Sequence, residues 1–217
     1  MNVLRIAGYP ARRVTLALGS VHPQLYVVDG LEDYVDTGAL LRDADAPEPP
    51  YWAHLWPGAR CLARLMTTRA ECGGRRVVEV GCGLGLAGIA AAMVGATVTL
   101  LDSAHDALRF AQANAALNNC RVAAVRTDVR RVAVRGRFDY CLAADVTYDP
   151  LLQIALADFL AAHLASGGRA WCAESVRTFD QGFRQACERH GFQVSEREER
   201  ELDDGREVRV RITDVRA

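Results

Sequence analysis

The chain has no apolar run of the roughly 20 residues that a helix needs to cross a bilayer, and its beginning shows no apolar stretch followed by a small-residue cleavage site. Neither insertion into a membrane nor export is expected, and the sequence reads as a soluble cytoplasmic protein. Neither sign of charge is in excess: 26 Lys and Arg stand against 27 Asp and Glu, a formal net charge of −1. A basic block able to neutralise a phosphate backbone is missing, which argues against nucleic acid as a partner. Seven cysteines make an odd set without C-x-x-C spacing, so neither a disulfide framework nor a metal is expected. Cys61, Cys72, Cys82, Cys120, Cys141, Cys172 and Cys187 fall largely inside apolar runs, the pattern of buried thiols in a reducing compartment. There is no internal repeat and no low-complexity tract.

What is present suffices for one core. Of 217 residues half are apolar and a quarter charged, which suits one domain with an appendage. The prolines Pro47, Pro49 and Pro50 divide the chain into a β-rich N-terminal extension over 1–46 and a main domain over 47–217. In the extension, 14–18 alternates, and 25–28 runs into an Asp29-Gly30 turn before Leu31 and Tyr34-Val35. After the prolines, Ala59, Leu62, Leu65 and Met66 recur at helical spacing towards Gly73-Gly74. Strands and helices then alternate. Strands are predicted over 76–80, 97–101, 121–126, 138–144 and 168–173. Helices are predicted over 86–94, from an N-cap at Ser103 to about 118, over 151–164 and over 179–190. The tail reads as strand 192–197, an Asp204-Gly205 turn and strand 208–212. This pattern predicts an α/β fold: a doubly wound, mostly parallel sheet covered on both faces, with a C-terminal antiparallel hairpin.

Ligands of such sheets bind at the carboxyl edge of the strands, and the informative residues gather there. The first strand of the main domain runs into Glu79-Val80-Gly81-Cys82-Gly83-Leu84-Gly85, where glycines permit positive φ and close approach of backbone N–H groups to a ligand. A dinucleotide fingerprint would need glycine where Leu86 stands, which counts against a nicotinamide cofactor. Asp102 closes the second strand, where a carboxylate can accept the hydroxyls of a ribose. Structural readings compete at each position. Asp102 could be a charge at a helix N-terminus, Glu79 a partner of Arg75 or Arg76, and Asp128 a loop carboxylate. Trp52 and Trp56 could cover the sheet edge, and Asp145 could cap the following helix. His54 reads as structural.

The E-x-G-x-G-x-G turn resembles motif I of class I S-adenosylmethionine-dependent methyltransferases. Pro50-Tyr51-Trp52-Ala53-His54-Leu55-Trp56-Pro57-Gly58, the 79–85 turn and Ala144-Asp145-Val146-Thr147-Tyr148 together resemble the seven-strand protein-lysine methyltransferases. The aromatic segment is most similar to the branch that modifies the electron-transfer-flavoprotein β-subunit. The resemblance covers about Pro50 to Ala173, and the N-terminal extension adds little to it. It implies the Rossmann-like methyltransferase fold with S-adenosyl-L-methionine as cofactor, bound by Trp56, Glu79, Gly81, Gly83, Gly85, Asp102, Asp128 and the backbone near Ala144. It further implies that Asp145 and Tyr148, a D-x-x-Y sequence, act on a lysine ε-amine of a protein substrate. Asp-Val-Thr-Tyr departs from the N-P-P-Y type pattern of adenine and glutamine N-methyltransferases. A small-molecule methyltransferase and a cofactor-binding protein without catalysis stay open on these residues.

Overall fold

A computed structural model describes residues 3–19, 21–34, 49–68, 70–131, 134–175 and 182–217. The expected domain boundary at 46/47, Val35, and residues 179–181 of the last predicted helix lie outside the described residues. The extension is a three-stranded antiparallel sheet, β1 (Arg5–Ile6), β2 (Tyr9–Thr15) and β3 (Gln24–Val28), in the order β1-β2-β3. Asp29 and Gly30 turn as predicted, but the chain then enters a 3₁₀ turn, Leu31–Tyr34, rather than a strand.

The main sheet has seven strands. Its elements in chain order are α1 (Pro57–Thr68), β4 (Arg76–Val80), α2 (Leu86–Met93), β5 (Thr97–Asp102), α3 (His105–Leu117), β6 (Val122–Arg126) and β7 (Phe138–Ala144). They continue with α4 (Pro150–His163), β8 (Leu164–Ser175), α5 (Gly182–Arg189), β9 (Gln193–Asp203) and β10 (Arg206–Arg216). The spatial order is β6-β5-β4-β7-β8-β10-β9, parallel from β6 to β8. The C-terminal hairpin folds back so that β10 lies antiparallel between β8 and β9. The strand order reverses at β4, and a crevice therefore opens beyond the carboxyl ends of β4 and β7.

Alternation along the strands sorts the core onto two faces. Val77, Val98 and Leu100 meet α1, α2 and α3 on one face, together with Leu25 and Val28 of the small sheet. Val78, Val80, Leu101 and Cys141 meet Leu156, Leu160 and Phe183 of α4 and α5 on the other. Glu79 falls by the same alternation on the face covered by α2, and this placement decides its chemistry.

Three predicted features differ. α3 begins with Ala104 as its cap and no side-chain bond from Ser103; the Asp102 carboxylate accepts the Ala104 N–H instead, at 2.9 Å. β8 starts directly at the end of α4, four residues ahead of the predicted strand, and Phe138 pairs with Leu164. The hairpin strands are each 11 residues long, because diagonal cross-strand pairs such as Arg200–Glu207 and Arg209–Glu198 hold a charged stretch extended.

Candidate active site

Four segments converge at the carboxyl edge of β4, β5 and β7. The first is the glycine turn. Gly81, Gly83 and Gly85 have φ of +63°, +50° and +79°, a region that side chains other than glycine rarely occupy. Space is as decisive as conformation. A Cβ on Gly81 would run into Val146 Cγ1, and one on Gly83 would lie 2.8 Å from the Trp52 carbonyl oxygen. The turn is thus clasped between the loop after β7 and the aromatic segment.

Asp102 ends β5, 8% exposed. Its Oδ2 accepts the Gly83 N–H at 2.9 Å and its Oδ1 the Ala104 N–H at 2.9 Å. Burial pushes its pKa up, opposed by these backbone donors and that of Ser103. With three backbone N–H groups directed at it, the carboxylate keeps acceptor capacity for a further donor. The carboxylate therefore shapes the turn as well as facing the crevice.

Glu79 is 1% exposed and pairs with neither Arg75 nor Arg76; Arg75 pairs with Asp139, and Arg76 lies over Phe138. Its Oε2 accepts the Gly88 N–H at 2.8 Å, at the first turn of α2. That turn has no side-chain cap from Gly85, so a carboxyl from the neighbouring strand supplies the missing acceptor. Burial raises the Glu79 pKa to about 8; the Gly88 and Ala87 N–H groups oppose the rise, and Asp102 adds to it.

The segment after β7 carries Asp145 at φ +52°, a left-handed conformation uncommon for aspartate. Asp145 does not cap the following helix; Asp149 does, accepting the Leu151 and Leu152 N–H groups. Asp145 instead holds α1 and β8 together. Its Oδ2 accepts the Gly58 N–H at 3.0 Å and its Oδ1 the Ser175 N–H at 2.8 Å. Ala144, buried one residue earlier, pairs with Ala173. Tyr148, three residues after Asp145, is 79% exposed.

The aromatic segment divides differently from its sequence reading. Trp56 donates its indole N–H to the Tyr51 carbonyl at 2.9 Å and meets His54 edge-on at 4.6 Å. His54 Nε2 lies 3.0 Å from Asp203 Oδ1 in the hairpin, a structural contact. Trp52 borders the glycine turn, with its ring against Tyr9 and Phe110. Asp128 folds back on Arg130, accepting the backbone N–H at 2.9 Å and the guanidinium at 2.6 Å. The Arg130 guanidinium holds its pKa below the usual carboxylate value. Glycine turn, Asp102 and Asp145 are thus brought to one edge, and Asp128, after β6, pairs with Arg130.

In the sequence Gly58 stands out only as the end of the aromatic segment, and Gly88 not at all. Both allow close approach: a Cβ on Gly58 would overlap Asp145 Oδ2 and lie 2.6 Å from the Ala173 carbonyl oxygen, and one on Gly88 would lie 2.8 Å from Glu79 Oε2. For Gly88 the available signal was a glycine inside an apolar helical pattern.

The methyltransferase small domain family matches this chain over residues 51–150. The chain is 34% identical over 113 residues to the electron transfer flavoprotein beta subunit lysine methyltransferase of Danio rerio, a match covering 51% of this chain and 44% of that protein. The chain spans about half the length of the curated relatives it matches. Among solved structures, it is similar to the ribosomal protein L11 methylase of Lactobacillus delbrueckii subsp. bulgaricus, with a TM-score of 0.56 and 27% identity over 71% of this chain and 77% of that one. It also shares its fold with the T. thermophilus 16S rRNA N2 G1207 methyltransferase in complex with AdoMet and guanosine. There the TM-score is 0.65 and the identity 16%, over 95% of this chain and 50% of that one.

Proposed function

We propose that this chain, which carries the class I methyltransferase fold with a methyltransferase small domain over residues 51–150, transfers methyl groups from S-adenosyl-L-methionine to the ε-amine of a lysine on a protein. In this reading residues 47–217 are the catalytic domain and 1–46 its N-terminal extension. The observation that carries it is the convergence of the 81–85 turn, Asp102 and the Asp145–Tyr148 segment at one sheet edge, in a chain similar to a lysine methyltransferase.

The residues fit the cofactor. A turn of three positive-φ glycines brings backbone close to any ligand in the crevice. Asp102 offers paired acceptors at the position suited to ribose hydroxyls, and Asp128 and Ala144 border the same edge. Glu79 acts at one remove, by capping α2 and so fixing the turn. Trp56 and Trp52 lie in the segment that closes the crevice. When bound, S-adenosylmethionine supplies an electrophilic methyl group on a sulfonium.

The chain's task is then to deliver a neutral amine. A lysine ammonium with pKa near 10.4 requires about 4–5 kcal/mol to lose its proton at neutral pH. Asp145, fixed by two backbone donors, is suited to capture and orient the incoming ammonium group. Deprotonation is favoured by desolvation on entering the crevice. Tyr148, three residues after Asp145, is assigned the hydrogen bond to the amine and the narrowing of its channel. A folded protein suits this acceptor site better than nucleic acid, since the net charge is −1 and the sequence after β7 is not of the N-P-P-Y type. Seven free thiols support a reducing, cytoplasmic setting.

Incubation with radiolabelled S-adenosylmethionine and protein extract from the host tests this reading. Label is expected in protease-sensitive material and, after hydrolysis, in methyl-lysine. Label in nuclease-sensitive material, or failure of the chain to bind S-adenosylmethionine by calorimetry, overturns it.

A further inference from the structure

Asn114 lies in the last turn of α3, completely buried, and its amide reaches two distant parts of the chain. The side-chain oxygen accepts the Tyr26 N–H at 2.6 Å. The side-chain nitrogen donates to the Tyr26 carbonyl at 3.2 Å and to the Leu84 carbonyl at 3.0 Å. One helical turn later Asn118 treats Gln24 alike, accepting its N–H at 2.8 Å and donating to its carbonyl at 2.6 Å. Gln24 and Tyr26 stand two apart on β3, so both turn their backbone groups to the edge away from β2. Four helical residues rise about 6 Å and two strand residues about 6.7 Å. Amides four apart on a helix therefore match the pitch of a strand edge, and α3 occupies the place of a fourth strand.

Beyond β3 the two asparagines part: completely buried Asn114 also holds the glycine turn through Leu84, whereas half-buried Asn118 donates to the Asn114 carbonyl at 2.8 Å. Both amide donors of Asn114 are used, in a buried setting where an unpaired partner is costly. We propose that Asn114 is a positioning residue through which the N-terminal sheet becomes part of the cofactor site. β3 fixes the amide, and the amide fixes the Leu84 carbonyl and hence the turn. A second path runs parallel to it. Tyr9 of β2 meets Trp52 and Phe110 at 5.5 and 6.5 Å between ring centres, and the Trp52 carbonyl abuts Gly83. The inference rests on the reading of the turn as the S-adenosylmethionine site, and by reciprocity cofactor binding must then tighten β3 against α3.

Calorimetry with S-adenosylmethionine on the full chain separates the possibilities. Asn114→Ala and Asn118→Ala both loosen β3, and both are expected to lower the unfolding midpoint. Only Asn114→Ala should weaken cofactor binding, by about tenfold or more, while Asn118→Ala stays within about threefold of the unsubstituted chain. No binding by the unsubstituted chain overturns the proposed function and the inference with it. Binding by the unsubstituted chain with Asn114→Ala unaffected overturns the inference alone, as does equal weakening in both variants. Should Asn114→Ala not fold, amide exchange of the unsubstituted chain decides. Added S-adenosylmethionine should slow exchange at Tyr26 together with Gly83 and Gly85, and protection confined to the turn overturns the proposal.

Discussion

Glu79 illustrates how a motif residue is visible in sequence while its work is not. Its position two before Gly81 was legible; its partner, the first turn of α2, required knowledge of which face of β4 that helix covers. Among the described residues it forms no ion pair, and burial places its pKa near 8 against an ordinary 4.5. Between those values the folded chain keeps a proton that the unfolded chain releases. The stability that Glu79 contributes is therefore fully present below about pH 4.5 and is lost as pH rises through about 8, with a slope of up to about 1.4 kcal/mol per pH unit. Glu79→Gln retains a neutral acceptor for the Gly88 N–H and removes the titration. Urea unfolding of the ligand-free chain at pH 5, 6.5 and 8 should show a declining midpoint for the unsubstituted protein and a flatter one for the variant. Parallel pH profiles would show that the carboxyl is ionised throughout.

Elements were legible where local pattern and tertiary demand agree. β4 and β7 have the predicted limits, because buried parallel strands are short apolar runs bounded by turn residues. β10 was legible over 208–212, where Val208, Val210 and Ile212 alternate with arginines, but the length of β9 was not, because its run of Glu and Arg shows little alternation of hydrophobicity and its pairing is set by the hairpin. The Asp204-Gly205 turn, with φ of +46° and +80°, was nonetheless readable. The attachment of α1 was not. Its N-terminus is pinned by Asp145, 87 positions away from Gly58, and that separation leaves no local signature. Alanine in place of glycine within a helix ordinarily gains about 1 kcal/mol. Gly58→Ala should reverse that sign, losing about 1–3 kcal/mol through overlap with Asp145 Oδ2 and the Ala173 carbonyl. Thermal unfolding measures the effect, and an unchanged or raised midpoint would mean that α1 is not seated this closely on β8. Because the same overlap displaces Asp145, the proposed function further predicts that the variant transfers methyl groups more slowly than its loss of stability alone explains.

At the scale of the whole molecule, composition foretold one core but not how the extension joins it. The small sheet shares the face occupied by α1, α2 and α3, and its link to the site runs through Asn114, some 88 positions from Tyr26. The cysteines report on the integrity of that architecture, since they are spread over both faces of the sheet. Six of the seven are buried and Cys120 is partly so. Burial pushes the pKa values of Cys61 and Cys187 up to about 12 and raises that of Cys82 well above its ordinary value, with Asp102 and Glu79 adding to the last. A thiol reacts as its thiolate, so both access and ionisation protect these groups in the folded state. Ellman's reagent at pH 8 should therefore modify about one thiol in the native chain, at Cys120, and all seven after unfolding in guanidinium. Cys82 is the discriminating position, because it sits inside the glycine turn between Gly81 and Gly83. Modification of Cys82 at a rate close to that of Cys120 would mean that the turn opens readily without ligand. The preformed site described by the Asp102, Leu84 and Trp52 contacts would then be wrong.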